Sequence, residues 1–266
     1  MKNIVMLIAM HKPAWVPHDK MFMPLFVGAE GKKSWESDKF VVRDDYGDNI
    51  SNKNPYYCEL TGLYWAWKNL NCDYIGLSHY RRYFAKDVFL KTVEYRKKTI
   101  LSQKDIDKLL DEGDILLPEK SVLDNDTVRS YYELAHVAKD LAIVENIIAT
   151  KYPKYVDSFN KVMNEHSISY YNMFVMKKEL FDEYCMWLFG ILFESENQID
   201  ISNYDDYQKR VYGFLAERLF SVWIDFKKLR PVYCKVVKLA EGDRSFFKIC
   251  WYKLQDFVCY CFGIQS

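Results

Sequence analysis

The run NIVMLIA at residues 3–9 is apolar from its second residue onward, and after Met10 it stops abruptly in His11-Lys12-Pro13. A short, continuous apolar run of this kind reads as a strand buried on both faces, inside a sheet covered by helices on each side. It lacks the small-residue cleavage site that would make it a signal peptide. The pattern recurs at DYIGLSH (73–79), which ends in the polar stretch HYRRYF, and again at DILLP (114–118), YYNMFVM (170–176) and PVYCKVV (231–237). Helical patterns lie between these runs. Asn54-Pro55 opens PYYCELTGLYWAWKN, with Asn54 as cap and proline at the first helical position, and that helix runs to about Asn69. Residues 102–112 form an amphipathic pattern, and helical periodicity covers 128–150, 153–165, 177–194 and 205–224. Strands alternating with helices predict an α/β fold with a mainly parallel sheet flanked by helices. Ligands of such sheets bind beyond the carboxyl ends of the strands. The polar residues that follow the strands, His11-Lys12 and His79 through Tyr83, are therefore the first candidates for function.

Composition narrows the function classes. The 266 residues carry 37 Lys+Arg against 37 Asp+Glu, which argues against a globally basic nucleic-acid binder. Half of the residues are hydrophobic, too many for a disordered chain, and the length suits one medium domain. The 17% aromatic content is heavy; such rings fill cores and also cover the apolar C–H faces of sugars. The seven cysteines show no CxxC or metal-ligand rhythm, as expected of reduced thiols in the cytoplasm. No stretch is long and apolar enough to cross a bilayer. A P-loop, an HExxH motif and a GxSxG motif are all missing, which disfavours P-loop NTPases, zincins and α/β-hydrolases.

Two adjacent arginines and a histidine at a strand end suit an anion, since guanidinium forks bind phosphate bidentately; the alternative is a surface turn paired with carboxylates. His11 and Lys12 have the same logic. The stretch from Asp44 to Asn54 is dense in hydrogen-bonding side chains and precedes a helix N-terminus, a place that favours anions. Glu59 lies mid-helix among apolar neighbours, where a charge needs a partner. Glu217 shares a helix face with Arg210, Gly213 and Ser221, either as a reactive carboxylate or as a salt bridge to Arg210 or Arg218. Asp124-Asn125-Asp126 matches the Asp-X-Asp pattern of metal-dependent sugar-nucleotide enzymes, but so short a pattern is too common to mark a metal site. Asp205-Asp206 reads as a helix N-terminal charge pair. Over 246–264 the apolar residues, among them Phe247, Trp251, Leu254 and Phe262, share one helical arc, and the chain from 227 onward is basic. This predicts an amphipathic C-terminal helix suited to a membrane surface, or to docking on the domain itself.

Taken together, GDNISNKNPYYCELTGLYWAWKN (47–69), DYIGLSHYRRYF (73–84), NMFVMKKELFDEYCMWLFGILFE (172–194) and QKRVYGFLAERLF (208–220) resemble the bacterial family DUF4422. Its members are encoded among capsule, exopolysaccharide and lipopolysaccharide genes, and its characterised members are galactofuranosyltransferases. The resemblance covers the chain to about residue 240. It implies a single Rossmann-type domain of GT-A-like architecture at 1–240, followed by the amphipathic segment 241–266. It further implies inverting transfer from UDP-galactofuranose to a hydroxyl of a lipid-linked oligosaccharide, in a cytoplasmic protein peripheral on the inner face of the membrane.

On that basis the donor is expected to meet His11, Lys12, Asp45, Asn49, Ser51, Lys53, Asn54, Tyr57, His79, Arg81, Arg82 and Tyr83. The acceptor is expected to meet Tyr171, with Tyr170 as its alternative, Asn172, Met173 and Arg218. Glu217 is the first candidate for the general base and Glu59 the second. No metal or other cofactor is expected, because the positive side chains at the strand end would neutralise the departing UDP. A GT-like domain that binds a sugar nucleotide or glycolipid without turnover is the competing reading. A sugar-nucleotide pyrophosphorylase would need a Gly-rich loop near the N-terminus, which is missing.

Overall fold

The computed structural model describes residues 2–33, 41–87 and 92–239. The first strand, β1 (Ile4–Met10), is flanked by β2 (Phe22–Phe26) and β4 (Tyr74–His79), and β3 (Val42–Arg43) extends the sheet beyond β2. All three of these pairings are parallel. Its continuous apolar sequence follows from its position. Leu7 and Ala9 enter one core, and Ile4, Met6, Ile8 and Met10 enter another on the opposite face.

The sheet is mixed rather than mainly parallel. After β4 the chain turns at Tyr80-Arg81 into β5 (Arg82–Ala85), antiparallel to it, where the sequence pattern suggested only a polar run. Next come α3 (Val93–Thr99), α4 (Gln103–Leu109), β6 (Ile115–Pro118) and the short β7 (Ser121–Val122), which pairs with β8 (Ser167–Ile168). The later strands β9 (Phe174–Lys177) and β10 (Pro231–Lys238) complete the main sheet. β9 runs antiparallel to both β4 and β6; β10 runs parallel to β6 and antiparallel to β5. The pairings therefore form a closed circuit, β4–β9–β6–β10–β5–β4, beside the open parallel strands.

The helices are more broken than periodicity suggests. The predicted helix 54–69 is α1 (Asn54–Tyr57) and α2 (Leu60–Asn69), interrupted at Cys58, whose φ is +52°. Lys53, not Asn54, stands at the cap of α1. The predicted helix 128–150 is α5 (Val128–Ala135) and α6 (Ala138–Lys151), parted by extended backbone at His136. α7 (Val156–Met163) precedes β8; α8 (Lys178–Glu196) and α9 (Val211–Lys227) are the long helices of the larger core. Phe181, Tyr184, Trp187, Leu188 and Phe189 of α8 pack there with Tyr212, Leu215, Leu219 and Trp223 of α9. Each such burial contributes about 1.5–3 kcal/mol before the entropy of ordering is subtracted. The predicted strand 170–176 begins only at Phe174, because Tyr171 and Asn172 have φ of +80° and +51°. The expected amphipathic helix at 241–266 lies outside the described residues.

Candidate active site

β1, β2 and β4 are parallel, so their carboxyl ends open on one side. A cleft of about 610 Å³ lies there. Ala9, His11 and Val27 line it from the first two strands, and His79, Tyr80, Arg81 and Arg82 from the β4–β5 turn. Asn54, Pro55, Cys58 and Glu59 contribute from α1 and its break; Tyr171, Asp206, Arg210 and Glu217 close the far wall.

The β4–β5 turn presents positive charge to this cleft. Alternation along β5 turns Arg82 to the cleft and its neighbour Tyr83 into the core, where the hydroxyl donates to the Trp15 carbonyl at 3.2 Å. The Arg82 guanidinium lies 4.5 Å above the Tyr171 ring; its buried Nε makes no hydrogen bond, and no carboxylate pairs with it among the described residues. Arg81 lies over the Tyr80 ring at 5.0 Å, and Tyr80 meets His11 edge-on at 5.2 Å. Partial burial, reinforced by Lys12 and Arg81, lowers the His11 pKa below its ordinary 6.5, so this ring is neutral at neutral pH. The turn is thus not a bare surface turn: it lines a cleft, and Arg82 has no carboxylate partner among the described residues.

The left-handed pair Tyr171-Asn172 ties the acidic groups together. The Tyr171 N–H donates to Glu217 Oε1 at 2.8 Å, while the Tyr171 carbonyl accepts from His79 Nε2 at 2.7 Å, which assigns the proton to that nitrogen. Asn172 Nδ2 donates to Glu59 Oε1 at 2.8 Å. Glu217 Oε2 accepts from Arg218 Nη1 at 3.0 Å, in a pair whose side chains are 17% and 3% exposed. Burial pushes the Glu217 carboxyl above the ordinary 4.5, and the Arg218 charge pulls part of the way back. Backbone left of the ordinary region costs energy in non-glycine residues and accumulates at functional sites. Here it aims one backbone N–H at Glu217 and one side-chain amide at Glu59. Cys58, also left-handed, accepts from Arg210 Nε at 3.1 Å, and burial pushes its thiol up to about 11, so it stays protonated.

A buried carboxylate holds the other wall. Asp44, fully buried, accepts from the backbone N–H of Gly28 and Ala29 at 2.9 and 3.0 Å and from the hydroxyls of Ser51 and Thr61 at 2.5 and 2.7 Å. This seats Gly28 against the Asn54 side chain, so closely that a Cβ on Gly28 would come within 2.4 Å of it.

Among the residues expected at the donor, His11, Asn54, His79, Arg81 and Arg82 line the cleft, together with both candidate bases, Glu59 and Glu217. Lys12 does not line it. Asp45 instead pairs with Arg43 at 2.5 Å, and Asn49 makes a local turn with Gly47 and Ser51. Ser51 is spent on Asp44, and Lys53 reaches away to Glu196 at 2.7 Å. Tyr57 is fully buried, stacked on Tyr212 with ring centres 4.5 Å apart, and Tyr83 is fully buried too. On the acceptor side Tyr171 lines the cleft, whereas Asn172 and Met173 are 4% and 1% exposed, because the left-handed turn tucks them inward. Arg218 and Tyr170 line an adjoining cleft of about 310 Å³ that shares Cys58, Glu59, Arg82, Tyr171, Arg210 and Glu217 with the first.

Sequence reasoning missed Cys58, Asp206 and Arg210 as lining residues, and held Tyr80 and Asp44 only inside longer candidate stretches. Only Arg210 left a readable signal, its place on the Glu217 face of α9. Asp126 accepts from Ser130 Oγ at 2.8 Å beside the start of α5, so the Asp-X-Asp stretch serves a helix terminus. Among the described residues no three His, Cys, Asp or Glu side chains converge as a metal-binding group.

The geometry has a counterpart among solved structures. A structure described as the apo form of the bifunctional glycosyltransferase WbbM superimposes with a TM-score of 0.81 at 30% sequence identity, covering 90% of this chain. The chain spans 46% of that protein's length. Among curated proteins none matches detectably. The model of one protein family, described as a domain of unknown function (DUF4422), matches residues 5–228, which include every cleft residue named above. The chain belongs to the DUF4422 family.

Proposed function

We propose that the protein is a glycosyltransferase of surface-polysaccharide synthesis, with UDP-galactofuranose as donor and a hydroxyl of a lipid-linked oligosaccharide as acceptor. The carrying observation is the juxtaposition, across one cleft, of an arginine with no carboxylate partner among the described residues, Arg82, and a buried carboxylate with a raised pKa, Glu217. The likeness to a structure described as a bifunctional glycosyltransferase supports the reaction class. Galactofuranose and the lipid-linked acceptor come from the family resemblance.

In this reading the donor diphosphate lies against Arg81, Arg82 and Arg210, with the nucleoside toward His11 and Asn54. Glu217 takes the proton of the acceptor hydroxyl as its oxygen bonds to the anomeric carbon. The bond from that carbon to the diphosphate oxygen breaks on the opposite face, so the configuration inverts and the electron pair leaves with UDP. The arginines stabilise that developing charge without reorganising, and they do so without a metal ion. Asn172 and Tyr171 act by positioning Glu59 and Glu217. The segment 241–266 would hold the enzyme against the inner face of the membrane; a protein lacking 243–266 that still sediments with membranes would refute this.

The test is incubation with UDP-galactofuranose and a panel of lipid-mimetic glycosides, following UDP release and glycoside extension. Extension with inverted anomeric configuration is expected. UDP binding with no release under any acceptor would overturn the enzyme reading in favour of a binding protein.

A further inference from the structure

We propose that the aromatic cleft beside the donor cleft is the acceptor subsite, and that it takes an uncharged hexose ring by stacking. This rests on the transferase reading above. Its walls differ in kind from the donor cleft. Tyr131 comes from α5, Tyr170 from the turn before β9, His136 from the break after α5, and Tyr207 and Phe214 from the entry and first turns of α9. His136 is stacked at 4.0 Å on Phe214 and at 5.8 Å on Tyr207, so three rings form one platform; Tyr131 and Tyr170, 6.4 Å apart, form a second.

These rings are not a finished core. Tyr207 is 52% exposed and Tyr131 39%, and one turn along α5 from Tyr131 the side chain of Leu134 is 77% exposed. Large apolar surface left open around a concavity marks a place that something covers. Three arginines (Arg82, Arg210 and Arg218) and two carboxylates (Glu59 and Glu217) line the cleft. Glu217 is paired with Arg218, and in the transferase reading Arg82 and Arg210 face the donor diphosphate, which leaves no unmatched cation for the acceptor. His136, with its pKa pushed down to about 4 by burial and by Arg218, is neutral under ordinary conditions. Flat rings beside a donor that occupies the spare arginines suit the C–H face of a neutral sugar better than a uronic acid or phosphate. The position is also right for the chemistry. Glu217 belongs to both clefts, so a hydroxyl of a sugar stacked on Tyr207 or Tyr131 faces the base, and beyond it the donor.

The test uses saturation-transfer NMR of the full-length protein with saturating UDP. Methyl β-galactopyranoside and methyl β-glucopyranoside are the neutral probes, and methyl β-glucuronide is the charged comparison. Ring C–H protons of the neutral glycosides should receive saturation, with the glucuronide weaker. Tyr207→Ala and Tyr131→Ala should each weaken glycoside binding about fivefold, and Tyr207→Phe should retain it, since stacking needs the ring and not the hydroxyl. UDP affinity by calorimetry should be unchanged in all three variants. Equal saturation of the glycosides in both alanine variants, or none in the UDP-bound wild type, would overturn the proposal. Should the wild type bind glycoside in a Tyr207-dependent way yet bind no UDP, the stacking site stands and the transferase reading fails.

Discussion

Glu217 is subject to opposing pulls on its titration. Burial and the nearby Glu59 favour its neutral form; Arg218, the Tyr171 N–H and Arg210 favour the charged one, and burial wins. A general base works only when ionised, so activity should fall as pH drops through a value above the 4.5 of an ordinary glutamate. Removing Arg218 removes the strongest downward pull, so Arg218→Gln should move that acid limb to higher pH. A limb left in place, measured as kcat against pH, would mean that another group sets it. Glu217→Gln should leave UDP affinity within about twofold and lower kcat by on the order of 10²-fold or more. An unimpaired variant would pass the role to Glu59. At this scale the sequence was partly legible. Glu217 and Arg82 stand out because charge at a strand end or on a mostly apolar helix needs a reason. Asp44 does not stand out from Asp45, since only the fold decides which of two adjacent carboxylates turns inward.

Between residues and fold, the turns at Gly28, Cys58, His136 and Tyr171-Asn172 shape the site. All four lie where periodicity and turn composition are weak guides. The chain reads as unbroken helix at Cys58 and His136 and as strand at Tyr171, because neither a positive φ in a non-glycine residue, as at Cys58 and Tyr171, nor one extended residue, as at His136, leaves a pattern in a single sequence. Gly28 can be tested against an internal control. Gly31 has φ +70° and open space around its Cβ position, whereas Gly28 has φ +64° and Asn54 at 2.4 Å. Gly31→Ala should cost only the left-handed strain, about 1–2 kcal/mol. Gly28→Ala should cost at least about 1 kcal/mol more and weaken UDP binding, since Asn54 must move. Equal stability losses in denaturant unfolding would show that the loop adjusts freely. His136 gives a second handle. Its pKa falls from 6.5 in the unfolded chain to about 4 in the fold, so the unfolded state binds the proton first as pH drops. The folded state should therefore lose stability from about pH 6.5 down toward 4, and His136→Phe should flatten that part of the Tm-against-pH curve relative to wild type. Parallel curves would place His136 in a more solvated setting.

Over the whole molecule, the apolar runs at 4–10, 74–79 and 115–118 were readable as buried strands, and the first two form the parallel pair β1–β4; β2 and β3, which complete the parallel half, left no such run. The antiparallel half was not readable from such runs. β9 and β10 arrive from far along the chain, and their direction depends on helices packing the core rather than on their own residues. That half matters for function, because the circuit β4–β9–β6–β10–β5 bends β5 back on β4 and so raises Arg81 and Arg82 to the rim where β1 and β4 end. The arrangement has a consequence for metal dependence. A departing diphosphate needs its charge met as the bond breaks, and that can come from a divalent ion held by several carboxylates or from guanidinium groups fixed by the fold. The β4–β5 turn brings two guanidiniums to this rim, and among the described residues Arg82 is held in place by the Tyr171 ring and by no acidic partner. Arg82→Ala should then weaken UDP binding by about 10–100-fold, and Arg82→Lys should recover only part of it, because an ammonium lacks both the fork and the flat face that stacks on Tyr171. Exhaustive treatment with EDTA should leave turnover intact in the wild type. If chelation abolishes turnover and manganese restores it, the arginines are helpers to a metal and the electrostatic account of the leaving group is wrong; if Arg82→Ala binds UDP normally, the diphosphate lies elsewhere.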